Sequence, residues 1–527
     1  MCVVPANPGH SPLSPRRREV LKLIGASLAG ATLAPGAAQA QNPSALAVIQ
    51  NALGDGQRFD PAIVADLARQ IARRPYAAPP ADLPEPFTNL PFDQYSAIKA
   101  QPSSFLWAGE NRGIVVEPLH RGSFFTNAVA LFAVEDGQVR RLVYDKARFS
   151  FGKLNIPPSV GDIGFSGVRL YSASNGHLAD FASIQGATFF RARARGQDYG
   201  AVARALTLRP AEARGEEFPI FRAMWLERPA PGATALVLHA VFESESVAGA
   251  LRMTWRPGDM VIVDVEQSLF PRVDLDHVGI GGMGASYLYG PNDRRTADDI
   301  RPAVYEASGM QMLNGQGEWL WRPLHNPERL QVSAFIDRNP KGFGLVQRDR
   351  EFTAFQDDVE RWERRPTLWV EPLGEWGDGV VQLIEIPSDA EMNDNILAYW
   401  RPKGPLPAGS EVALAFRQFW CWTMPERPPL AAVTATRVGK GSAGRRRRFS
   451  IDFAGEIPEA AATDLRPALT TAPGTIHALR LWRYPERKTT RVTFELDPGN
   501  ENACEMRLVL EAGGKPLSET WLYRWTP

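Results

Sequence analysis

Carboxylate side chains lie among aromatic ones at positions 301–327, in the run RPAVYEASGMQMLNGQGEWLWRPLHNP. The side chains of this run that could do chemistry are Tyr305, Glu306, Glu318, Trp319 and Trp321. Sugar rings present hydroxyl groups that carboxylates and arginine bind, and C–H faces that stack on indole, so the combination indicates a saccharide site. Trp319 and Trp321 also share one face of a strand, which makes a buried core the competing interpretation, and composition alone favours it.

Further aromatic residues extend the candidate saccharide site. Trp369, Glu371 and Trp376 flank a turn that contains proline and glycine, and they form a candidate stacking rim. Trp369 alternates with apolar neighbours, as a core residue also would. Trp400 closes the apolar run 396–400 and is another candidate contact.

Charged positions near these aromatic residues keep two interpretations each. Glu318 either accepts hydrogen bonds from sugar hydroxyls or forms a buried ion pair with Arg322, and the sequence favours neither. Arg322 is itself a candidate donor to sugar hydroxyls. Arg364 and Arg365 either donate to a glycan or form a solvated end, and the solvated end is favoured.

Length and charge bound the class of protein. The 527 residues exceed one compact core, which predicts at least two domains, and the formal net charge of zero disfavours a nucleic-acid partner. Residues 16–22, RRREVLK, precede the apolar run 23–33 and the small-residue site AQA at 38–40. We interpret residues 1–40 as a cleaved twin-arginine signal, which predicts a periplasmic protein that meets the twin-arginine translocase during export.

Cysteine and histidine are sparse. Cys421 and Cys504 are the cysteines that follow the signal, and export permits a disulfide between them without implying one. The apolar neighbours of Cys421 favour a small buried hydrophobe. The seven histidines and the cysteines show no zinc spacing, so we expect no metal, no cofactor and no catalytic thiol.

Most of the chain is predicted to be strand. Helical patterns occur at 44–53, 61–74 and 197–206. Alternating or β-rich runs between Gly, Pro, Asn and Asp favour an all-β fold of antiparallel sandwiches. The strands are predicted at 113–118, 140–144, 234–242, 251–255, 260–266, 330–336, 380–386, 396–400, 412–420, 447–453, 477–484, 491–496 and 506–511.

Two glycine- or arginine-rich runs are interpreted as connections. GIGGMG at 279–284 fits a dinucleotide-binding pattern but lacks the βαβ unit, so we interpret it as a flexible loop beside the groove. The basic run 445–448 is interpreted as a hairpin tip.

The Pro- and Gly-rich segment 401–409 is the best domain boundary. We predict a β-sandwich domain at 41–402 that carries the site, a linker at 403–409 and a smaller domain at 410–527. The length and strand count of the smaller domain suit an immunoglobulin-like sandwich.

The run NGQGEWLWRPL at 314–324, followed by Asn326 and Pro327, resembles a signature of the periplasmic glucan biosynthesis proteins G and D. The similar blocks elsewhere, in the family's order, are GFSGVRL at 164–170, GATFFRARARGQDY at 186–199, GEEFPIFR at 215–222, RRPTLWVEP at 364–372 and DNILAYWRP at 394–402. The resemblance covers nearly the whole chain after the signal. It implies a large N-terminal β-sandwich similar to galactose mutarotase and a smaller C-terminal immunoglobulin-like domain.

The resemblance also implies inverting chemistry on β-1,2-glucan, in which one carboxyl is protonated and another is ionised. Carried over by motif, Asp394 is the acid and Glu306 is the base. Without the resemblance, the acidic, Asn-rich stretch around Asp394 is typical of a turn.

The base position departs from the family. The chain has YEASGM at 305–310, where the family usually has His-Asp-Ser-Asp/Asn-Gly-Leu. Glu306 therefore keeps the carboxylate on a longer arm, and misplacement of about an ångström can cost roughly 100-fold in rate. A base that reaches a sugar hydroxyl instead of water would give transglycosylation.

Two functions follow from these observations. The first is an enzyme that trims or remodels β-1,2-glucan by inverting hydrolysis or transglycosylation. The second is a non-catalytic factor that holds β-glucan for a membrane glucan synthase. A sugar mutarotase follows only from fold analogy and lacks a recognisable histidine motif.

Overall fold

The structure, a computed structural model, describes residues 44–174, 177–294, 298–425 and 430–527, and the predicted export signal at 1–40 lies outside them. The α-helices in these ranges are α1 (Ala45–Leu53), α2 (Pro61–Ala72), α3 (Phe92–Tyr95) and α4 (Glu459–Ala462). Short 3-10 helices cover Pro102–Ser104, Lys146–Arg148, Phe352–Ala354, Trp362–Arg364 and Pro485–Arg487. Within the described ranges, no helix has the length and apolar composition of a membrane span.

Helices α1 and α2 confirm the first two helix predictions. The side chains of Ser44 and Asp60 cap their first turns, and Pro61 occupies the start of α2, where its fixed φ suits a helix. One face of both helices is buried in a cluster with Phe132 and Trp225. The helices therefore cover one surface of a large sheet instead of forming a domain of their own.

The first of two large sheets has ten strands, and strands are numbered here in chain order. Nine of them form a continuous path in which neighbours are hydrogen-bonded. The tenth, β10 (Thr207–Leu208), pairs with β15 (Val278–Ala285). The path runs through β2 (Ile114–Leu119), β6 (Gly167–Ser174), β7 (His177–Gln185), β8 (Phe189–Ala192), β9 (Val202–Arg204), β15, β24 (Ile396–Pro402), β23 (Asp378–Glu385) and β20 (Gln331–Arg338).

The second large sheet has fifteen strands and reaches from the C-terminal part of the chain to its N-terminal part. Its order is β28 (Arg466–Ala472), β31 (Cys504–Ala512), β33 (Thr520–Trp525), β19 (Trp319–Pro323), β18 (Gly309–Leu313), β21 (Gly342–Val346), β22 (Thr367–Leu373), β25 (Val412–Cys421), β14 (Met260–Pro271), β13 (Val247–Arg256), β12 (Leu236–Glu243), β11 (Ile220–Glu227), β3 (Ala130–Glu135) and β4 (Gln138–Arg141), with β32 (Lys515–Pro516) paired to β31.

Three small sheets complete the described fold. They are the four-stranded sheet β26 (Ala432–Lys440), β27 (Arg447–Ala454), β30 (Thr489–Asp497) and β29 (Thr475–Tyr484), and the pairs β1 (Lys99–Ala100) with β5 (Phe149–Ser150) and β16 (Tyr287–Tyr289) with β17 (Val304–Tyr305). The predicted all-β fold is confirmed. Residues 441–446 connect β26 to β27, so the basic run 445–448 lies at a hairpin tip, as predicted.

Two local predictions are wrong. The predicted helix at 197–206 contains instead the buried strand β9, which pairs with β8 and β15, because sheet pairing outweighs helical periodicity here. The predicted loop at 279–284 lies in β15, whose residues are all buried. Its glycines are required by packing: a Cβ at Gly279 would lie 2.5 Å from the Tyr399 ring, and one at Gly282 would lie 2.3 Å from the Thr207 hydroxyl.

Strand β25 lies inside the fifteen-stranded sheet, between β14 and β22. The sequence prediction assigned this strand to the smaller domain, and the pairing corrects that assignment. The apolar residues of β25 on both sides of the sheet explain the placement, since Phe416 and Trp420 on one side are buried in the main core and Phe419 and Cys421 on the other side are buried in a smaller cluster. The linker at 403–409 and the immunoglobulin-like character of the remaining C-terminal strands stay predictions.

The two cysteines lie in different clusters and are not bonded to each other. Cys421 packs in a small cluster with Trp319 and Trp369, as expected for a buried hydrophobe, and its burial raises the pKa of the thiol to about 12. Cys504 belongs to the core between the C-terminal sheets.

Truncating Trp321 tests whether this side chain belongs to the core. Trp321 is 3% exposed and belongs to the C-terminal core cluster, so Trp321→Ala is expected to cost about 3–5 kcal/mol of the free energy of unfolding. The matched control is Trp482→Ala, since Trp482 is 48% exposed and its loss should change the same quantity by roughly 0.5 kcal/mol or less. Chemical denaturation followed by circular dichroism measures both, and equal losses would contradict the core assignment.

Candidate active site

Glu306 follows directly after β17 and is held by Ser286, which precedes β16. The Glu306 N–H donates to the Ser286 carbonyl oxygen (2.9 Å), and the Ser286 N–H donates to Oε2 of Glu306 (3.2 Å). Its neighbour Tyr305 points the other way: the ring stacks on Tyr287 at 5.1 Å, and the hydroxyl donates to Asp349 (2.7 Å). Tyr305 is therefore a buried anchor of β17, which corrects its prediction as a substrate contact.

Asp394 lies at the end of the connection between β23 and β24. The next residue, Asn395, fixes it, because its side chain donates to the carbonyl oxygens of Tyr287 and Ile386 (both 3.0 Å) and accepts from the Tyr287 N–H (2.8 Å). Ser286 and Tyr287 are consecutive. The backbone that binds Glu306 therefore also binds the residue after Asp394, and this brings the two carboxyl groups together.

The start of the same connection is held by Asn326. Its side chain donates to the Ser388 carbonyl oxygen (2.7 Å) and accepts from the Ser388 N–H (2.9 Å). Arg301 adds an ion pair to Glu391 (2.7 Å) while also binding Asp357 (2.7 Å). The connection that carries Asp394 is therefore fixed at both ends and in the middle.

The negative charge of Asp394 acts on the Glu306 carboxyl. Glu306 is half-buried, and its surroundings raise the pKa of its carboxyl chiefly by desolvation and next by the negative charge of Asp394. The positive charges of Arg365 and Arg191 oppose this increase in pKa. Arg191 also forms an ion pair with Asp394, with 3.6 Å between Nη2 and Oδ2. The pair thus consists of two acids, with Arg191 bound to Asp394 and the charge of Arg365 acting on Glu306.

A cleft of about 1490 Å³ lies next to the pair. Its lining is mostly polar and charged and includes Arg169, Asp180, Arg193, Tyr199 and Arg365. The two carboxyl groups are not among the lining residues. Arg365 provides one link, since it lines the cleft and its charge acts on Glu306.

Cross-strand pairing provides the second link between the cleft and the pair. Arg169 of β6 pairs with Ser183 of β7, which pairs with Arg191 of β8. Directly paired residues share one face of a sheet, and adjacent strands lie about 4.8 Å apart. Arg191 is therefore two strand spacings from the cleft-lining Arg169, on the same face. The ion pair between Arg191 and Asp394 lies at the border of the cleft.

The predicted tryptophan groove is not formed. Trp319 and Trp369 are 6% and 2% exposed and stack on each other at 5.9 Å inside a core cluster. Trp321 is covered by the Arg348 guanidinium, whose carbon lies 3.4 Å from the ring centroid. These residues alternate along their strands because they lie on faces that pack in the core. The prediction of Trp319, Trp321 and Trp369 as sugar contacts is therefore corrected.

Trp376 and Trp400 are core residues as well. Trp400 is 1% exposed, and Trp376 packs between it (6.3 Å) and Phe416 (5.9 Å). Neither ring presents a face to solvent, so neither forms the predicted stacking rim. Glu371 accepts a hydrogen bond from the Trp369 indole (3.1 Å), which makes it a partner of the core and not a free sugar acceptor.

The ion pair between Glu318 and Arg322, one of the two interpretations left open by the sequence, is absent, because each residue binds another partner. Glu318 pairs with Arg507 and accepts from Thr520 (2.7 Å). Arg322 is fully buried and pairs with Glu385 (3.2 Å). Both contacts connect β19 to other strands, so these two residues are structural here, and the prediction of direct sugar contacts is wrong for Arg322.

Arg191 and Arg365 are the site residues that the sequence interpretation missed. Arg365 was favoured as a solvated end, yet its side chain is only 12% exposed and binds Glu360 (2.7 Å) and the Tyr199 carbonyl oxygen. Both arginines fall inside family-like blocks, at 186–199 and 364–372. Their position in these blocks could have marked them as candidate site residues. Their relation to Glu306 and Asp394, however, joins residues that lie far apart in the sequence.

The fold and the site define a class: an all-β protein with two coupled carboxyl groups at the border of an arginine-lined cleft. The chain belongs to the family described as periplasmic glucan biosynthesis protein, MdoG, whose sequence model matches residues 59–525. This confirms the resemblance seen in the sequence. Membership gives the chain a role in periplasmic glucan biosynthesis, and the family name implies the periplasm.

Curated relatives match nearly end to end. Glucans biosynthesis protein G of Rhodopseudomonas palustris strain BisA53 is 43% identical over 515 residues, which cover 97% of this chain and 99% of the relative. The protein of the same name from Bradyrhizobium diazoefficiens is 41% identical over 516 residues, with 97% and 100% covered. That from Shewanella baltica strain OS195 is 40% identical over 481 residues, with 89% and 87% covered.

Among solved structures, a galactose mutarotase related enzyme from Lactobacillus acidophilus aligns with 8% sequence identity and a TM-score of 0.18. The alignment covers 46% of this chain and 98% of that chain. A likeness of this size carries no argument, so the all-β class rests on the strands described above.

Replacing Glu306 tests the raised pKa through stability. A carboxyl whose folded pKa exceeds its unfolded pKa stabilises the fold below the unfolded pKa, and this stabilisation is lost as the pH rises through the folded pKa. Glu306→Gln stays neutral at every pH. It should therefore unfold at a higher temperature than the wild type at alkaline pH and match it at acid pH.

Thermal unfolding at a series of pH values from acid to alkaline measures the difference in unfolding temperature between the variant and the wild type. The control is Glu328→Gln, at an exposed position, which should show no such divergence. A constant difference at all pH values would contradict the raised pKa.

Proposed function

We propose that this chain processes the backbone of β-1,2-glucan by inverting hydrolysis or transglycosylation, with Asp394 as general acid and Glu306 as general base. The observation that carries the proposal is the convergence of two carboxyl groups from distant parts of the chain at the border of a cleft. The names of the relatives support glucan as the substrate class, and the sequence resemblance supports the β-1,2 linkage.

In hydrolysis, the glycosidic C1–O bond breaks and the Asp394 proton passes to the leaving oxygen. The oxygen of an attacking water bonds to C1, and its proton passes to Glu306. In transglycosylation a sugar hydroxyl replaces the water. Inverting enzymes keep their carboxyl groups far enough apart for the attacking molecule.

The charges around the pair suit these roles. A base with a raised pKa accepts a proton more strongly once it is ionised, and Asp394 contributes to raising the pKa of Glu306. Arg191 and Arg365 lower that pKa and so keep Glu306 ionisable.

The size of the cleft supports a polymeric substrate. Its volume of about 1490 Å³ exceeds the roughly 300–1,000 Å³ typical of sites for small ligands. Polar and charged groups line it, which supports binding of a hydroxyl-rich chain. The aromatic residues of its lining are Phe92, Phe181 and Tyr199, so stacking on a sugar in this cleft would involve these rings and not the predicted tryptophans.

A non-catalytic factor that holds glucan for a membrane glucan synthase is the second candidate. The ion pair between Arg191 and Asp394 favours it, because Arg191 occupies a carboxyl oxygen that the enzyme mechanism needs for the leaving oxygen of the substrate. The cleft would serve this role equally well.

Incubation with linear β-1,2-glucan separates the two candidates. Wild-type protein without its signal should convert the glucan. Mass spectrometry should show shorter chains if the reaction is hydrolysis, or products lighter by one water if it is ring closure. Anomer-resolved NMR should show inversion at the anomeric carbon. Glu306→Gln and Asp394→Asn should each lose at least about 100-fold in rate while retaining binding. Asp389→Asn, an exposed acid in the same connection, is the matched control.

Full turnover by either site variant would remove that residue from the mechanism, and binding without any turnover by the wild type would support the second candidate.

Removing the charge of Arg191 should shift the pH profile. Because Arg191 lowers the pKa of Glu306, Arg191→Gln should raise that pKa and move the acid limb of kcat/KM to higher pH. Arg338→Gln, at an exposed position far along the same sheet, is the control. An acid limb that moves to lower pH would contradict the assigned base.

A further inference from the structure

Trp482 differs from every other tryptophan in the chain. All fourteen tryptophans lie in the described ranges, and all are buried except Trp422, which is half-buried, and Trp482, which is 48% exposed. Trp482 lies in β29, at the edge of the four-stranded sheet. It is the only indole of the protein that presents a large face to solvent.

Its neighbours on the sheet form an ordered polar row. Trp482 pairs with Arg491 of β30, and Arg491 pairs with Asp452 of β27. The Arg491 guanidinium is held by two hydrogen bonds to the Asp452 carboxylate, at 2.6 and 2.9 Å. Arg437 of β26 donates to the same carboxylate (2.9 Å). A bidentate pair of this kind fixes the guanidinium in one plane beside the indole.

The adjacent row on the same face adds hydroxyl groups and another arginine. Arg480 pairs with Thr493, and Thr493 pairs with Ser450. Residues two apart on a strand share a face, so Arg480 lies beside Trp482, and Thr493 beside Arg491. Thr493 and Ser450 are partly exposed, and Arg480 is exposed. The face opposite, with Phe449, Val492 and Phe494, is buried in the C-terminal core.

These residues match what a neutral saccharide needs on a flat surface. An indole face stacks on the C–H face of a pyranose, and fixed guanidinium, carboxylate and hydroxyl groups bind its hydroxyls. The Asp452 carboxylate offsets one of the two positive charges of Arg437 and Arg491. None of these residues lines the 1490 Å³ cleft.

We propose that the outer face of the four-stranded sheet, made of Trp482, Arg480, Arg491, Thr493 and Ser450 and held in place by the buried Asp452, is a second glucan-binding surface. This inference rests on the proposed function for the identity of the ligand as β-1,2-glucan. This surface would hold one stretch of a glucan chain, while another stretch of the same glucan enters the cleft beside Glu306 and Asp394.

Tryptophan fluorescence tests this surface, since Trp482 is the most exposed tryptophan of the chain. Protein without its signal, carrying Glu306→Gln to prevent turnover, is titrated with linear β-1,2-glucan. The expected result is a shift of emission to shorter wavelength and protection from acrylamide quenching. Trp482→Ala in the same background should abolish both changes and weaken binding of long glucan several-fold, up to about tenfold. Trp422→Phe is the matched control and should retain them.

The outcomes separate this surface from the proposed reaction. Retention of the fluorescence change in Trp482→Ala, or no change in the unsubstituted Trp482 protein, would overturn the second surface. Product formation by the wild type is measured in parallel, so that a fluorescence change without product would leave the surface standing and refute only the reaction. The exposed variant Arg487→Gln, outside the proposed surface, serves as a folding and charge control.

Discussion

Two acids that repel each other are held together by the backbone of two consecutive residues. Ser286 binds Glu306, and Tyr287 binds Asn395, the residue after Asp394. The raised pKa of Glu306 depends on this arrangement, because it places the charge of Asp394 where it acts on the Glu306 carboxyl. Forcing a carboxyl into a desolvated position beside another negative charge opposes folding, so the surrounding packing must supply the compensating free energy.

Part of that compensating packing comes from the signature run at 314–324 and the residues just after it. Trp319 and Trp321 fill cores, Arg322 pairs with Glu385, and Asn326 fixes the start of the connection that leads to Asp394. The sequence of this run is typical of a binding groove, but in the structure the run packs in the core and supports the elements that carry Glu306 and Asp394. Its aromatic and charged residues act at a distance from the reacting groups, through the elements they hold.

The sequence predicts local structure here better than it predicts contacts. The caps and apolar stripe of α2 are complete within one segment, so that helix could be predicted, and most strands were found from alternation. Alternation could not decide whether Trp369 or Trp400 faces a core or a groove, because both situations need an apolar face. The convergence of Glu306 and Asp394 came from family resemblance, whereas Arg191 and Arg365 were missed because their relation to Glu306 exists only after sheets from distant parts of the chain assemble.

The insertion of β25 between β14 and β22 affects how the chain reaches its native state. Both neighbours are complete long before residue 412 is synthesised, and they pair with it across sequence separations of more than forty residues. Until then, β14 and β22 each keep an unpaired edge, which is a route to intermolecular association in a nascent chain. High contact order of this kind slows folding, so the protein must gain most of its cooperativity late, after nearly all of the chain is available.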